Sequence, residues 1–389
     1  MTPWSNYEPP AFRTDYFAAY YRHVKNSLNQ ALAVDPSGDN YPDPKEHCDI
    51  CRWRLRCNAK RRNDDHLCLV AGITKVHINE LKRQNILTTA DLGAVLIPLP
   101  WKPDRGAPHS YERIRKQARL QMAGRAAGHT IYEVLPVVQG FGLSCLPPPS
   151  PGDIFLDLEG DPFVGEGGLE YLFGYAFGNE NGAQAYTADW AFARTDEKQI
   201  FVRFVDFVME RLKHFPDLHI YHYAPYEPSA LKRLMGRYAT REEEIDRMLR
   251  SKLFVDLFGV VRHGVRASVE SYSIKDLDPL YQFTRHIDLS DANIALAKVQ
   301  ACLELGDAAN IEAQDRQVVQ GYNRDDCLST WLLREWLEGL RSRLIEQGAT
   351  IDRRVNKPVI RGRFERMAGE DRRFSPPPYG RRAGGCGGA

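Results

Sequence analysis

Short apolar runs alternate with helical patterns between residues 154 and 234, and this alternation is the clearest structural signal in the chain. Four runs have the length and composition of strands, at residues 154–159, 171–177, 183–187 and 218–223. Asn181 and Gly182 favour a tight hairpin turn between the second run and the third. Residues 197–215 place apolar side chains at helical spacing before the fourth run. The pattern predicts three antiparallel strands, a crossover helix and a mixed sheet.

A second helix is predicted after the fourth run, because Pro228 suits a first helical turn and Leu231 and Leu234 share one face. Towards the N-terminus, residues 69–81 and 85–92 predict two short helices joined by a turn. The predicted fold class is therefore α/β, with a mixed sheet flanked by helices and preceded by a small helical region.

Two proline-rich segments, 98–108 and 147–151, are the clearest linkers and bound a predicted helix near 109–127. After Gly348 the chain is rich in arginine, proline and glycine without hydrophobic periodicity, which predicts disorder. The predicted organisation is 1–65 with a cysteine cluster, 66–148 as a helical region, 152–347 as the α/β domain and 348–389 as the tail.

Two acidic clusters fall on these predicted elements. Asp157 and Glu159 lie two residues apart on the first strand and share a face, with Phe155 continuing that row towards the core. Tyr322 and Asp326 lie four residues apart on a predicted helix and also share a face. Crowded carboxylates normally require a divalent cation to offset their repulsion. The alternative is that these acidic residues are solvated or form turns.

The two clusters, in this order, resemble the first and third motifs of exonucleases with a ribonuclease-H-like fold, of the DEDD type with the tyrosine variant. The resemblance implies two-metal phosphodiester hydrolysis with magnesium or manganese. It implies that the metal ions are held by Asp157, Glu159, Glu227 and Asp326. Tyr322 would orient water or the scissile phosphate, and the alternative is ordinary packing of a helix tyrosine.

Glu227 occupies the place of the second motif, where these nucleases usually carry an aspartate, and its longer side chain would change the metal geometry. Asp256 is a secondary candidate for this role and could instead support the site. Asp325 is expected to be a solvated neighbour, although a shift of one residue would exchange its role with that of Asp326.

Cys48, Cys51 and Cys57 lie within ten positions and have the spacing of ligands to a metal ion or cluster. Disulfides are the competing explanation. No signal peptide is evident and the other cysteines are scattered, which favours a reduced, cytoplasmic setting.

This segment resembles the cysteine-rich end of RecB-family nucleases, in which three such cysteines and one far upstream hold a 4Fe–4S cluster. No cysteine precedes Cys48, so residues 1–65 are interpreted as a remnant of such a domain. Alternatively, Cys68, His47 or His66 completes a zinc site.

Residues 69–92 resemble a helix-hairpin-helix element, whose backbone amides can contact a phosphate. This resemblance implies that Gly72 and Lys75 bind nucleic acid, and the alternative is a small packing module. From residue 12 to about 347, the chain resembles the bacterial RecB-like nuclease family with a C-terminal RNase H-like domain. Phrases such as 117–121 and 273–277 carry this resemblance. Members often continue into a helicase, so a helicase domain or subunit is an expected partner.

The composition agrees with a soluble protein of several parts. Its 389 residues and 43% hydrophobic content allow one large domain and smaller ones. No run of about eighteen apolar residues occurs, so no membrane span is predicted. The net charge is only +1, but basic residues cluster at 52–62 and 113–125, which suits a polyanion. Solvated helix faces would explain the same clusters.

These observations predict a metal-dependent nuclease, specifically a 3′–5′ exonuclease acting on DNA in repair or processing. One alternative is a non-catalytic nucleic-acid-binding or scaffold subunit of a helicase–nuclease assembly. Another is an RNA exonuclease or a structure-specific endonuclease. No phosphate-binding Gly-x-x-x-x-Gly-Lys-Ser/Thr loop occurs, so ATPase activity is not predicted.

Overall fold

The computed structural model describes residues 12–33, 41–49, 51–179 and 182–354. Within them the strands are β1 (Tyr132–Val134), β2 (Ile154–Asp161), β3 (Leu169–Gly178), β4 (Gln184–Trp190), β5 (Ile220–His222), β6 (Phe254–Asp256) and β7 (Val265–Ala267). The α-helices are α1 (Ala18–Ala33), α2 (Arg54–Asn63), α3 (Lys75–Arg83), α4 (Thr89–Ala94), α5 (Pro108–Ala127), α6 (Arg194–His214), α7 (Tyr226–Tyr238), α8 (Glu242–Arg250), α9 (Leu257–Gly264), α10 (Ile274–Leu277), α11 (Leu289–Glu304) and α12 (Ala313–Glu346).

Five strands form one mixed sheet in the order β4-β3-β2-β5-β6. The strand β2 pairs antiparallel with β3, which pairs antiparallel with β4. On its other edge β2 pairs parallel with β5, and β5 pairs parallel with β6. The helix α6 makes the crossover from β4 to β5, as parallel pairing requires. The predicted mixed sheet is confirmed.

One face of the sheet is covered by α6, α7 and α8. Ile154, Leu156 and Leu158 of β2 pack on this side with the apolar residues of α6. The α6 residues in this core are Ile200, Phe201, Phe204, Val205, Val208 and Leu212, which the helical spacing predicted. Leu231 and Leu234 of α7 are buried in the same core, so their predicted inward orientation is also confirmed.

The other face of the sheet is crossed by α12. Phe155 stacks on Trp331 of this helix, with ring centroids 4.6 Å apart. Two turns beyond Asp326, buried Arg334 places Nη1 2.6 Å from Oδ2 of buried Asp153, which directly precedes β2. Separating α12 from β2 would leave both buried charges without a partner, which is costly. The ion pair therefore holds α12 against the start of β2.

The predicted helical region is confirmed in α3, α4 and α5, which share a separate core containing Leu81, Leu92 and Tyr111. Thr74 and Thr88 begin α3 and α4 as N-caps, each with a capping box. A short antiparallel ribbon of β1 and β7 lies beside α5. The helical region therefore has its own core while contacting the segment that follows α9.

The hairpin turn and the C-terminal tail, both predicted from sequence, lie partly outside the described residues. Asn181 of the predicted hairpin turn lies outside the described residues, whereas Gly182 N donates a hydrogen bond to Asn179 O at 2.9 Å. Ile351 is buried, although the disordered tail was predicted from 348, and residues from 355 lie outside the description. Among the described residues, no helix is both long and apolar enough to cross a bilayer.

Candidate metal centre

The strand β2 and the helix α12 bring three carboxylates together. Asp157 and Glu159 project from the same face of β2, and Asp326 reaches them from α12. One carboxylate oxygen of each residue lies within 4.8 Å of the other two. Asp326 is buried, whereas Asp157 and Glu159 are partly exposed. The predicted meeting of the two acidic clusters is therefore present in the fold.

Close approach of α12 to the sheet depends on Gly174, which lies opposite Asp157 on β3. A Cβ atom at this glycine would lie 1.5 Å from Asn323 Oδ1, so the absent side chain makes room for the asparagine. Asn323 is fully buried and its Nδ2 donates to Asp157 Oδ2 at 2.8 Å. Tyr186 Oη donates to Asn323 Oδ1 at 2.8 Å. This chain of hydrogen bonds orients the Asp157 carboxylate.

Burial and the close approach of the three carboxylates raise the pKa of Asp157 and of Glu159. Burial raises the pKa of Asp157 well above its usual value, and the charges of Asp326 and Glu159 raise it further. Burial and then the charge of Asp326 raise the pKa of Glu159 to about 8. Both carboxyls therefore favour a proton unless a positive charge compensates them.

Two basic side chains lie against Asp326. Lys275 Nζ of α10 is 3.1 Å from Asp326 Oδ2, and Arg285 Nη1 is 2.8 Å from Oδ1. Burial lowers the pKa of Lys275, but opposing effects, led by the charge of Asp326, outweigh burial and raise the pKa overall. The centre thus carries two internal cations beside its three carboxylates.

The donor set fits a hard divalent cation. All three side chains offer carboxylate oxygens, which magnesium and manganese prefer. Burial and the charges of neighbouring carboxylates raise the pKa of Asp157 and of Glu159, so ionising both carboxyls requires a compensating positive charge. A divalent cation held by Asp157, Glu159 and Asp326 would supply that charge.

Residues 154–338 match the RNase_H_2 model, which describes the RNase_H superfamily. This part of the chain is an RNase H-like domain with a mixed α/β sheet. The matched range contains the whole sheet and all three carboxylates. Comparisons with curated proteins and with solved structures gave no match. The likeness to RecB-like nucleases and to the tyrosine variant stays a prediction.

Glu227 lies on the first turn of α7, within the RNase H-like domain. It is buried and its Oε2 lies 3.5 Å from His222 Nδ1, but it is not one of the three grouped carboxylates. Burial raises the pKa of Glu227, against an opposing effect of His222. Its charge also helps to raise the pKa of Asp157, so the two carboxylates are electrostatically linked.

Asp256 contacts backbone rather than the acidic centre. Its Oδ1 accepts hydrogen bonds from Ala224 N and Phe258 N, both at 3.0 Å. The second bond caps the start of α9, and the first fixes the loop that leads into Glu227. These contacts favour the supporting role over metal binding.

Tyr322 is half-buried, one helical turn before Asp326. Lys275 Nζ lies 5.0 Å from the centroid of its ring. Burial and then the charge of Asp326 raise the pKa of the Tyr322 hydroxyl, so it remains protonated. The predicted shared face of Tyr322 and Asp326 is consistent with these contacts, while the role of the hydroxyl remains a prediction.

The expectation that Asp325 is solvated is wrong. Its side chain is buried and Oδ2 accepts hydrogen bonds from the backbone amides of His286 and Ile287, at 2.7 and 3.0 Å. His286 Nδ1 lies 2.8 Å from Oδ1. Asp325 therefore anchors the loop before α11, and its neighbour Asp326 faces β2.

Sequence reasoning missed three residues of the centre: Asn323, Lys275 and Arg285. Asn323 could have been found, because it lies three positions before Asp326 and so shares a helix face with it. Lys275 and Arg285 lie on segments whose sequence gives no local sign of the contact with Asp326. Their position follows from tertiary packing alone.

The predicted cysteine site has no equivalent geometric support. Among the described residues, the carboxylates of Asp157, Glu159 and Asp326 are close enough together to share a metal ion, whereas no set of three cysteines is. Cys51 is exposed, and Cys48 Sγ accepts a hydrogen bond from Lys45 N at 3.3 Å. Metal binding by Cys48, Cys51 and Cys57, with Cys68, His47 or His66 as a further ligand, stays a prediction.

The two residues predicted to contact phosphate differ in their surroundings. Gly72 has a φ of +77° and lines a cavity beside α5. Lys75 is the exposed first residue of α3. The contact of Gly72 and Lys75 with nucleic acid stays a prediction.

Proposed function

We propose that the RNase H superfamily domain is a metal-dependent nuclease that hydrolyses phosphodiester bonds, acting as a 3′–5′ exonuclease on DNA. The grouping of Asp157, Glu159 and Asp326 carries this proposal. Hydrolysis of a phosphodiester requires compensation of negative charge on the attacking and leaving oxygens. A site of crowded carboxylates that favours divalent cations suits this reaction.

Asp157, Glu159 and Asp326 would hold magnesium or manganese, with Glu227 as a further ligand from α7. Such ions, when bound, act as Lewis acids and lower the pKa of water. Asn323 holds the Asp157 carboxylate in one orientation through its 2.8 Å hydrogen bond. Lys275 lies 3.1 Å from Asp326 and compensates part of its negative charge. The protonated hydroxyl of Tyr322 can donate a hydrogen bond to a phosphate oxygen.

The test uses 5′-labelled single-stranded DNA and RNA with manganese, magnesium or chelator. We expect a metal-dependent ladder of shortened DNA from the wild type and none from Asp157→Asn or Asp326→Asn. Asp291→Asn, which changes an exposed aspartate of α11, is the matched control and should cleave normally. Normal cleavage by both site variants would reject this centre, and cleavage of RNA alone would reject the DNA assignment.

A non-catalytic nucleic-acid-binding subunit is the second candidate, and one observation favours it. Lys275 and Arg285 already lie against Asp326, so part of its negative charge is neutralised within the chain. Calorimetric titration with manganese separates the candidates. Binding of manganese that is lost in Asp157→Asn supports the nuclease, whereas nucleic-acid binding without manganese binding or cleavage supports the scaffold role, including assembly with a helicase.

Tyr322→Phe tests the role of the hydroxyl. We expect this variant to lower turnover more than it lowers affinity for DNA, because the ring packing is kept while one hydrogen-bond donor is lost. An unchanged turnover number would assign Tyr322 to packing.

We also propose that Cys48, Cys51 and Cys57 ligate a 4Fe–4S cluster or zinc. Thiolate ligands at this spacing serve either group. Metal analysis of anaerobically purified protein distinguishes iron with sulfide from stoichiometric zinc. Absence of both metals from the wild type, or retention of either in Cys48→Ser/Cys51→Ser, would reject the site.

A further inference from the structure

A cavity of about 60 Å³ lies where the helical region meets the RNase H superfamily domain. One water molecule needs roughly 10–15 Å³ by this kind of measure, so the cavity admits a larger group. Its lining includes Arg113 and Gln117 of α5, Arg262 of α9, Arg266 of β7, Gly72 and Tyr272. We call this the arginine cavity.

Positive charge exceeds negative charge around the arginine cavity. Within the described part of the chain, neither Arg113 nor Arg262 forms an ion pair with a carboxylate, and both are exposed. Arg262 lies over the ring of Tyr272, with its guanidinium carbon 5.8 Å from the centroid. Arg266 Nη1 is 2.8 Å from Glu133 Oε2, a carboxylate that Arg119 also contacts. An anion entering the cavity would therefore meet two guanidinium groups, those of Arg113 and Arg262, that no carboxylate compensates.

The interior of the arginine cavity is held by buried hydrogen bonds. Gln117 is buried and its Nε2 donates to Ala267 O at 2.9 Å. Tyr272 Oη donates to Gln117 Oε1 at 3.0 Å and accepts from Ala267 N at 3.1 Å. These bonds fix α5, β7 and Tyr272 relative to one another, so the cavity is formed before a ligand arrives.

One short segment joins the arginine cavity to the acidic centre. Tyr272 and Lys275 are three residues apart, so their Cα atoms are separated by at most about 11 Å. Lys275 Nζ contacts Asp326 at 3.1 Å, and Tyr223 Oη donates to Tyr272 O at 2.6 Å. A chain molecule with regularly spaced phosphates could reach both places at once.

We propose that the arginine cavity binds a backbone phosphate of the nucleic-acid strand whose neighbouring phosphodiester bond lies at Asp157, Glu159 and Asp326. The inference rests on the proposed nuclease function and names a second contact for its substrate. Arginine presents planar, charged donors that match phosphate oxygens. The rim of the cavity is open at Gly72, since no atom lies within 4 Å of the position that a Cβ atom would take there. The cavity fixes the strand's position, and the carboxylates perform the chemistry.

The test measures binding of fluorescein-labelled single-stranded DNA by anisotropy in chelator, over a series of salt concentrations. Chelator prevents metal-dependent cleavage, so affinity is measured separately from the reaction. The proteins are the wild type, Arg113→Gln/Arg262→Gln, Arg113→Lys/Arg262→Lys, and the control Arg250→Gln. Arg250 is exposed on α8, across the sheet from α12.

We expect Arg113→Gln/Arg262→Gln to bind DNA about tenfold more weakly. This factor corresponds to the loss of one hydrogen bond to a charged group, at the lower end of the usual contribution of such a bond. The slope of log affinity against log salt should fall by about 0.7 for each phosphate contact removed. The lysine variant keeps the charge and should keep most of the slope, and Arg250→Gln should match the wild type. Circular dichroism melting checks that the exposed substitutions leave the fold intact.

Wild-type affinity and slope in the folded glutamine variant would overturn the inference while leaving the nuclease proposal standing. Competition by inorganic phosphate that depends on Arg113 and Arg262, without any effect of these residues on DNA binding, would also overturn it. Wild-type protein that neither binds nor cleaves DNA or RNA would remove the proposed function and, with it, this inference.

Discussion

Asn323 joins the hydroxyl of Tyr186 to the carboxylate of Asp157 inside the protein. Replacing Asn323 with alanine removes the donor that fixes Asp157 Oδ2. Groups that orient a metal ligand typically contribute 10–100-fold to metal affinity or activity, so we expect Asn323→Ala to lower the cleavage rate by about that factor. The measurement is the cleavage rate across a manganese titration.

Gln317→Ala is the control for that variant, since Gln317 is exposed on the same helix. It should cleave at the wild-type rate. If Asn323→Ala did the same at every manganese concentration, Asp157 would need no orienting partner.

Glu159 makes stability in the absence of metal depend on pH. Burial and the charge of Asp326 raise its pKa from the usual 4.5 to about 8. Between these values the folded state keeps a proton that the unfolded chain has released, so this contribution to stability is lost as pH rises. In chelator, we expect the melting temperature of the wild type to fall relative to Glu159→Gln between about pH 5 and pH 8. Manganese should restore wild-type stability most at the alkaline end.

Differential scanning fluorimetry of both proteins measures this comparison, and their difference isolates Glu159 together with Asp157, whose pKa depends on the charge of Glu159. Glu159→Gln should melt higher than the wild type at pH 8, where it lacks the charge repulsion. A constant difference across the pH range would contradict the raised pKa of Glu159.

At the scale of residues, the acidic centre could be predicted because residue spacing determines which side chains share a face of a strand or of a helix. Neighbouring helix positions point about 100° apart, so only one of Asp325 and Asp326 can face β2. Sequence alone does not say which, and the buried hydrogen bonds of Asp325 to His286 and Ile287 decide it. Lys275 and Arg285 could not be predicted, because their contacts with Asp326 are made across the fold.

The contact between β3 and α12 depends on Gly174. A Cβ atom there would overlap Asn323 Oδ1 at 1.5 Å, so Gly174→Ala must displace either the asparagine or the helix. Overpacking of this kind typically costs about 1–3 kcal/mol, and we expect a decrease of that size in the free energy of unfolding. Urea denaturation measures the stability, and the cleavage assay should show reduced activity because Asp157 loses its partner.

Gly178→Ala is the matched control at the end of the same strand. Its Cβ atom would meet Pro151 O at 3.6 Å, an ordinary contact, so stability should change little. Similar losses in both variants would mean that alanine is disfavoured along β3 generally and that the approach of α12 is not the cause.

At the scale of elements, sequence pattern succeeds where an element is long. The helix α6 and the strands β2 and β3 contain enough apolar positions to reveal their period. The strand β6 has only three residues, which are too few for a period to be distinguished, and it was not predicted as a strand. Its place is set by parallel pairing with β5, which is a tertiary interaction.

At the scale of the whole molecule, Gln117 connects the helical region to the segment after α9. It is buried, and its Nε2 donates to Ala267 O at 2.9 Å and to Val269 O at 3.3 Å. Sequence predicted the helix that carries Gln117 but gave no sign of these partners about 150 positions later. The two parts of the chain are thus joined by contacts that local pattern cannot reveal.

Gln117→Ala should weaken this connection. It leaves the two carbonyl oxygens and the Tyr272 hydroxyl without their buried partner, and an unsatisfied buried polar group costs about 1–3 kcal/mol. We expect urea denaturation to show a loss of that size and hydrogen exchange to quicken at Ala267, whose amide bonds to Tyr272 Oη. Lys116→Ala, an exposed change on the same helix, should have neither effect. Because the same network shapes the arginine cavity, Gln117→Ala should also weaken DNA binding. If this variant kept full stability and unchanged hydrogen exchange, the helical region and the segment after α9 would be held together by other contacts.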